Sequence, residues 1–356
     1  MANEEQRRYS KQTILPEIGL EGQEKLRAAK VLVIGAGGLG CPILQYLTAA
    51  GVGTIGIADG DKIDISNLQR QVLYTEQEIG QSKALVAESK LKLLNPNIQL
   101  NVHNSFITNE NVLEILAPYD IIVDGSDNFP TRYLVNDACV ILGKPLVFGA
   151  IYKFEGQVSV FNYKGGPTYR CLFPEAPGEG ESPNCADIGV IATLPGMIGT
   201  IQANEVIKMI IGVGEVLSGK LLVMNTLTLE NYFFNFKLIP ENKQIKHLPG
   251  WQDACKTLPT ISSITYDELQ TCLKNNPQTQ LIDVREVEEH AISNIGGINI
   301  PLSRFESEYS AIDPQQDIIL YCASGTRSNH FAKQLLLKGF SKVMQLKNGI
   351  NELIMN

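Results

Sequence analysis

VLVIGAGGLG (31–40), with Asp59 following 19 residues later at the end of TIGIAD (54–59), decides how the chain is read. A short β-branched run enters a glycine turn, and an apolar helical pattern leaves it and ends at Gly51. Gly35, Gly37, Gly38 and Gly40 fit G-x-G-x-x-G. Bare amides at a helix N-terminus there form an anion site that side chains would obstruct. A carboxylate ending the second strand can accept both ribose hydroxyls. The pair reports a nucleotide with phosphate and ribose. NAD is the first inference, and a tight turn with no ligand is the plain alternative. The 28 residues between Lys30 and Asp59 carry no charge and could span a bilayer. Seven of them are glycines in clusters, which punctuate strand, turn, helix and strand instead.

Outward from this unit, strand-like and helix-like runs alternate. IQLNVH (98–103), DIIVD (120–124) and PLVFG (145–149) are separated by helical patterns such as KALVAESKLKLLN, stopped by Asn95-Pro96. That alternation predicts an α/β fold: a Rossmann-like domain with a mainly parallel sheet. QVSVFNY (157–163) alternates as an antiparallel strand does. Residues 164–187 are rich in glycine and proline and read as a long functional or mobile loop. A helix near 193–212 and strands near 220–238 follow. Residues 241–259 show no period and read as a linker between domains at 1–240 and 260–356. The second domain holds ITYDELQTCLKN (helix), QLIDV and DIILYC (strands), RSNHFAKQLLLKGF (helix) and KVMQL (strand), a small α/β unit.

The 356 residues carry 30 Lys+Arg and 38 Asp+Glu, a net charge of −8. This balance gives no whole-chain reason to expect nucleic acid or an anionic membrane. MANEEQRRYS has charges where a signal peptide needs an apolar core, which points to the cytoplasm. The seven cysteines are scattered with no C-x-x-C pair, and no two of the four histidines are close, so no zinc site is expected.

Downstream residues argue against hydride chemistry. Asn67 and Arg70 lie in ISNLQRQ, and Lys83 follows Ser82, a candidate N-cap. A cation in a first helical turn opposes the macrodipole, a sign that a bound polyphosphate would reverse; a merely solvated lysine is the bland alternative. Asp124-Gly-Ser-Asp127-Asn128 follows the fourth strand, where ligands of open α/β sheets bind. Carboxylates there suit magnesium on a triphosphate, or else an Asx turn.

RRYSKQTIL, GAGGLGCPILQYLTAAGVG, DGDKIDISNLQRQ, GQSKA, DGSDNFPTRYLVND and PNCADIGVIATLPGMIGTIQANEVIK together resemble the MoeB/ThiF family of ubiquitin-activating-enzyme-like adenylyltransferases, from about residue 5 to 238. The resemblance implies ATP cleavage between the α- and β-phosphates and adenylation of the C-terminal glycine of a small ubiquitin-like sulfur carrier. It implies ribose contact for Asp59, phosphate contacts for Asn67, Arg70 and Lys83, and magnesium on Asp127. It also implies a homodimer in which a basic residue reaches the partner's site. The family's arginine is Lys11 here, which keeps the charge and loses the planar fork. Arg8 matches the other basic position. Of the family's two C-x-x-C pairs only Cys171 remains, in Thr168-Tyr-Arg-Cys171.

Cys322 ends DIILYC and opens a small-residue loop, CASGTRS, before a helix. Backbone amides and Arg327 there favour a thiolate. Four residues separate Cys322 from Arg327, one fewer than in a phosphatase loop, which suits a persulfide sulfur. LIDVREVEEH, INIPL and YCASGTRS resemble a rhodanese domain over about 260–356, in which Asp283 and Arg285 are structural. Asn294-Ile-Gly-Gly-Ile298 and Asn348-Gly349 depart from that family's pattern. In related two-domain enzymes the cysteine matching Cys185 joins the transfer, so either a transfer or a passive role is open to it. Cys41, Cys139 and Cys272 fall in helix patterns as core residues. The expectation is a bifunctional enzyme. ATP and magnesium activate a carrier ending in Gly-Gly, and a persulfide on Cys322, charged by a persulfide or thiosulfate donor, gives a thiocarboxylate. A molybdopterin-synthase small subunit, a thiamine-pathway carrier and a tRNA-thiolation modifier all remain open. So do two other readings: a sulfurtransferase with a docking-only front half, and an NAD-binding oxidoreductase.

Overall fold

The computed structural model describes residues 2–175, 189–248 and 261–350. Cys185, Cys255 and most of the expected linker lie outside the described residues. The chain divides into two compact units, Met1–Pro249 and Gly250–Asn356.

The strands of the first unit are β1 (Lys30–Ile34), β2 (Thr54–Ala58), β3 (Gln99–His103), β4 (Ile121–Asp124), β5 (Leu146–Tyr152), β6 (Glu155–Phe161), β7 (Lys220–Asn225) and β8 (Asn231–Asn235). They form one sheet in the order β3-β2-β1-β4-β5-β6-β7-β8. The first five are parallel and the last three run antiparallel. The chain order reverses between β1 and β4. A crevice opens at such a point, beyond the carboxyl ends of the strands.

Period-two alternation sends neighbouring side chains to opposite faces. Val31 and Val33 join a core with Leu44 and Leu47 of helix Gly40–Ala50 and with Ile198 and Val206 of helix Thr193–Ile211. Leu32 and Ile34 join a second core with Leu134 and Ala138 of helix Phe129–Leu142. Helix Lys83–Leu94 begins where the sequence places it: Ser82 Oγ accepts from the Leu85 amide at 3.4 Å. Asn95 at its end is fully buried and donates to Tyr9 Oη and the Thr48 carbonyl, tying the N-terminal segment to the core. Cys41 and Cys139 are fully buried; burial raises Cys41 to about 12.

The second unit contains β9 (Ser262–Ile264), β10 (Gln280–Asp283), β11 (Ile298–Asn299), β12 (Ile318–Tyr321) and β13 (Val343–Leu346), all parallel, in the order β11-β10-β12-β13-β9. β9 has no counterpart in the sequence reading, because three residues of which two are serine give no apolar signal. Its presence moves the start of the following helix to Tyr266, where Thr265 and Glu268 form a capping box.

Two glycines fix the turn after β1. Gly35 has φ +87°, and a Cβ there would lie 2.8 Å from the Gly125 carbonyl oxygen; at Gly40 it would lie 1.9 Å from the Gly35 oxygen. Gly40→Ala therefore forces backbone apart. It should destabilise the first unit by roughly 1–3 kcal/mol, lowering its melting temperature by about 2–4 °C per kcal/mol. Calorimetry of the full chain reads this; an unshifted transition contradicts the close approach.

Candidate functional site

A cleft opens at the β1/β4 reversal. Gly35, Gly37 and Gly38 line it together with Asp59, Asp61, Arg70, Lys83, Asp127 and Arg132. Asp59, Arg70, Lys83 and Asp127 thus meet at the glycine turn.

Asp59 directly follows β2. Its Oδ2 accepts from the Ala36 amide and its Oδ1 from the Asp61 amide, each at 2.7 Å. Each oxygen keeps a lone pair for a hydroxyl donor. Burial pushes its pKa up, against the two amides and the nearby Lys83. Lys83 is not solvated. It is 6% exposed, with Nζ 3.0 Å from Asp61 Oδ2. Asp61 thus supplies the counter-charge that a cation in a first helical turn needs.

Arg70 lines the cleft, its guanidinium resting on the Ser66 carbonyl at 3.1 Å. Asn67 does not line it. Asn67 Oδ1 accepts from the Asp64 amide, part of a capping box that shapes the turn before Arg70. Gly40 is likewise absent from the lining and serves the turn through its contact with Gly35. Lys11 sits exposed on helix Ser10–Thr13 and does not line the cleft of its own chain; Arg8 is bound to the Leu94 carbonyl.

The two carboxylates after β4 part company. Asp124 is fully buried, its Oδ1 closing an Asx turn on the Ser126 amide at 2.9 Å, and burial pushes its pKa up. Asp127 is exposed in the cleft wall. Arg132 was not singled out from the sequence. It is 6% exposed beneath the cleft, donating to the Ser126 carbonyl and lying over the rings of Phe129 and Phe148. Gln71 Oε1, Ser126 Oγ and Arg132 Nε are buried side-chain atoms with no partner among the described residues. A polar ligand in the cleft would satisfy them. Arg132 was visible only as the arginine five residues after Asp127 in DGSDNFPTR.

In the second unit, Cys322 follows β12 and is fully buried. Its Sγ accepts from the Gly325 amide at 3.1 Å and the Ser328 amide at 3.4 Å. These donors suit a thiolate or persulfide sulfur. Arg327, besides lying within electrostatic reach of Cys322, is paired: its Nη1 and Nη2 donate to Glu289 Oε2 and Oε1 at 2.6 and 2.8 Å. That pairing holds Glu289 down to about 2. Asp283 is fully buried and bound by Arg285 and by His290 Nδ1, a network that closes the end of β10. Asn348-Gly349 packs on the sulfur loop: a Cβ at Gly349 would lie 2.4 Å from the Ala323 oxygen. In the first unit, Cys171 Sγ accepts from the amides of Thr168 and Ile239. Among the described residues no helix is long and apolar enough to cross a membrane.

The ThiF family model matches residues 9–248, and a rhodanese-like domain model matches 265–356. A sulfur carrier protein adenylyltransferase of Thermus thermophilus is 55% identical over 63% of this chain and 84% of its own length. A probable molybdopterin-synthase adenylyltransferase of Porphyra purpurea is 43% identical over 98% of this chain and 92% of its own. A probable adenylyltransferase/sulfurtransferase, MoeZ, of Mycobacterium tuberculosis is 41% identical over 98% and 93%. The solved structure of E. coli MccB with MccA-N7isoASN superposes with a TM-score of 0.59 at 24% identity, over 66% of this chain and 73% of that one, and shares the fold.

Lys83→Met removes the buried cation at the cleft. Loss of a charge-assisted phosphate contact costs roughly 1.5–3 kcal/mol, so the dissociation constant for ATP should rise about ten- to a hundredfold by calorimetric titration. Unchanged ATP affinity contradicts a phosphate role for this lysine.

Proposed function

Because the chain belongs to the ThiF family, carries a rhodanese-like domain and is an adenylyltransferase and sulfurtransferase, we propose that it activates the C-terminal glycine of a small sulfur-carrier protein and converts it to a thiocarboxylate. The observation that carries this reading is the meeting of Arg70, Lys83 and Asp127 around the Gly35–Gly38 turn, which gives a triphosphate two cations and a metal-binding carboxylate. Relatives that carry both activities fit this reading rather than a docking-only front half.

Family membership implies ATP use. The carrier's carboxylate oxygen attacks the α-phosphorus, and the bond to the bridging oxygen of pyrophosphate breaks. Arg70 and Lys83 neutralise the negative charge that collects on the leaving group, and the glycine-turn amides hold the phosphate chain. Asp59 orients the ribose. Asp127, exposed in the wall, is the residue for magnesium, which takes one or two carboxylates with phosphate oxygens and would lend further charge neutralisation. No protein nucleophile is required for this step.

The acyl adenylate is then open to sulfur. The terminal sulfur of a Cys322 persulfide attacks the acyl carbon, and AMP leaves. The resulting acyl disulfide releases thiocarboxylate when a thiolate attacks Cys322 Sγ and forms a disulfide with it. Cys185 is our candidate for that thiolate. Carrying both sites on one chain raises the effective concentration of persulfide at the adenylate. In a homodimer Lys11, which is exposed and does not line its own cleft, would serve the cleft of the second copy.

Intact-mass measurement of a candidate carrier, incubated with enzyme, ATP, magnesium and a sulfur donor, tests the scheme. Wild type should exchange one carrier oxygen for one sulfur. Cys322→Ala should leave the carrier as its adenylate. Asp127→Ala should leave it unmodified, at a rate lower by roughly a hundredfold or more. Thiocarboxylate formation at the wild-type rate by Asp127→Ala overturns the adenylation half of the scheme, and by Cys322→Ala the transfer half.

A further inference from the structure

Arg327 is the loop's own cation, within electrostatic reach of Cys322. An arginine there would ordinarily draw a small anionic donor onto the sulfur. In this chain both of its terminal nitrogens are engaged by one carboxylate, Glu289. Glu289 is also held from its own side, because Glu289 Oε2 accepts from the Glu286 amide at 3.1 Å and closes a capping box at the start of helix Val287–Ile292. The carboxylate is therefore already in place, and little side-chain freedom is lost in forming the fork. Glu286 and Glu288 flank it on the same segment, with Glu286 fixed by Ser303 Oγ at 2.9 Å. Arg285 and His290 on that side are both bound to Asp283.

We propose that Glu289 sets the donor specificity of the Cys322 loop, discriminating against small sulfur oxyanions such as thiosulfate and in favour of persulfide sulfur carried on a thiol. The inference rests on the sulfur-transfer reading of Cys322 and names the donor class for that site.

Both donors have balanced routes. The Cys322 thiolate attacks the outer sulfur of thiosulfate, the S–S bond breaks and sulfite leaves with its electron pair. Alternatively it attacks the outer sulfur of R–S–S⁻, and the thiolate R–S⁻ leaves. The product, Cys322–S–S⁻, is the same. What differs is the charge that must approach. Thiosulfate is a dianion, and it meets Arg327 only by displacing Glu289, which leaves a carboxylate beside the dianion. Discrimination by a repulsive charge acts in this way. A thiol-borne persulfide presents a single charge on a small terminal sulfur, for which the Gly325 and Ser328 amides suffice.

Glu289→Gln in the full chain is the test. Glutamine keeps a capping oxygen for the Glu286 amide and removes the charge. The probes are thiosulfate and cysteine persulfide, with the Cys322 persulfide read by cyanolysis. The ratio of kcat/KM for thiosulfate to that for cysteine persulfide should rise at least tenfold, chiefly through a lower KM for thiosulfate. The thiosulfate rate should also become sensitive to salt. Glu289→Ala, which removes both charge and cap, should shift the ratio in the same direction. Adding Arg327→Gln should return the ratio to that of wild type. A ratio within twofold of wild type in both single variants overturns the assignment, as does a gain that survives loss of Arg327. If wild type charges Cys322 from neither donor, the sulfur-transfer reading falls with it. If wild type uses both donors equally and the variants change nothing, only the donor assignment falls.

Discussion

The first unit depends on one backbone-to-backbone approach. The start of helix Gly40–Ala50 lies so close to the end of β1 that no side-chain carbon fits between Gly40 and the Gly35 carbonyl. Gly35 in turn lies against Gly125 after β4. Asp59 draws the end of β2 onto the same turn through the Ala36 amide. Three parallel strands are thereby registered at one point, and the chain segments leaving them carry Arg70, Lys83 and Asp127 to the walls of a single cleft. The amides of the turn and the cations around it are brought together by that packing.

The second unit solves a different problem with similar means. On the proposed reading, a sulfur atom must be held reactive yet kept from water. The end of β12 buries Cys322, and the start of the next helix supplies two amides to its Sγ. Gly349 lets a neighbouring loop close over Ala323 without a clashing side chain. The Asp283, Arg285 and His290 network fixes the end of the adjacent strand.

Much of this was legible in the sequence because the signals are local. β1, β2 and β4 are short apolar runs with turn residues after them, and Ser82 caps its helix as its position suggests. The G-x-G-x-x-G spacing located the turn but gave its four glycines one role. Gly40 packs, while Gly35, Gly37 and Gly38 face the cleft. For Asn67, expected as a phosphate ligand, the fold adds a partner that the spacing did not announce: its Oδ1 accepts from the Asp64 amide three residues away. The partners of charged groups were not legible. Asp61 and Lys83 are 22 positions apart, and Glu289 and Arg327 are 38 apart. Only the folded chain pairs them. Arg132 was hidden for another reason: an arginine inside an apolar helical pattern looks like a surface residue until the helix is packed and its guanidinium is found between two phenylalanine rings and a carbonyl.

The central claim is that the first unit makes a mixed anhydride from ATP and a peptide carboxylate. Its most direct measurement is isotope exchange between pyrophosphate and ATP in the presence of a carrier ending in Gly-Gly. The account predicts exchange that requires the carrier's free carboxylate and vanishes when that terminus is amidated. Tight binding of a nicotinamide dinucleotide, with no exchange at millimolar ATP, would contradict it.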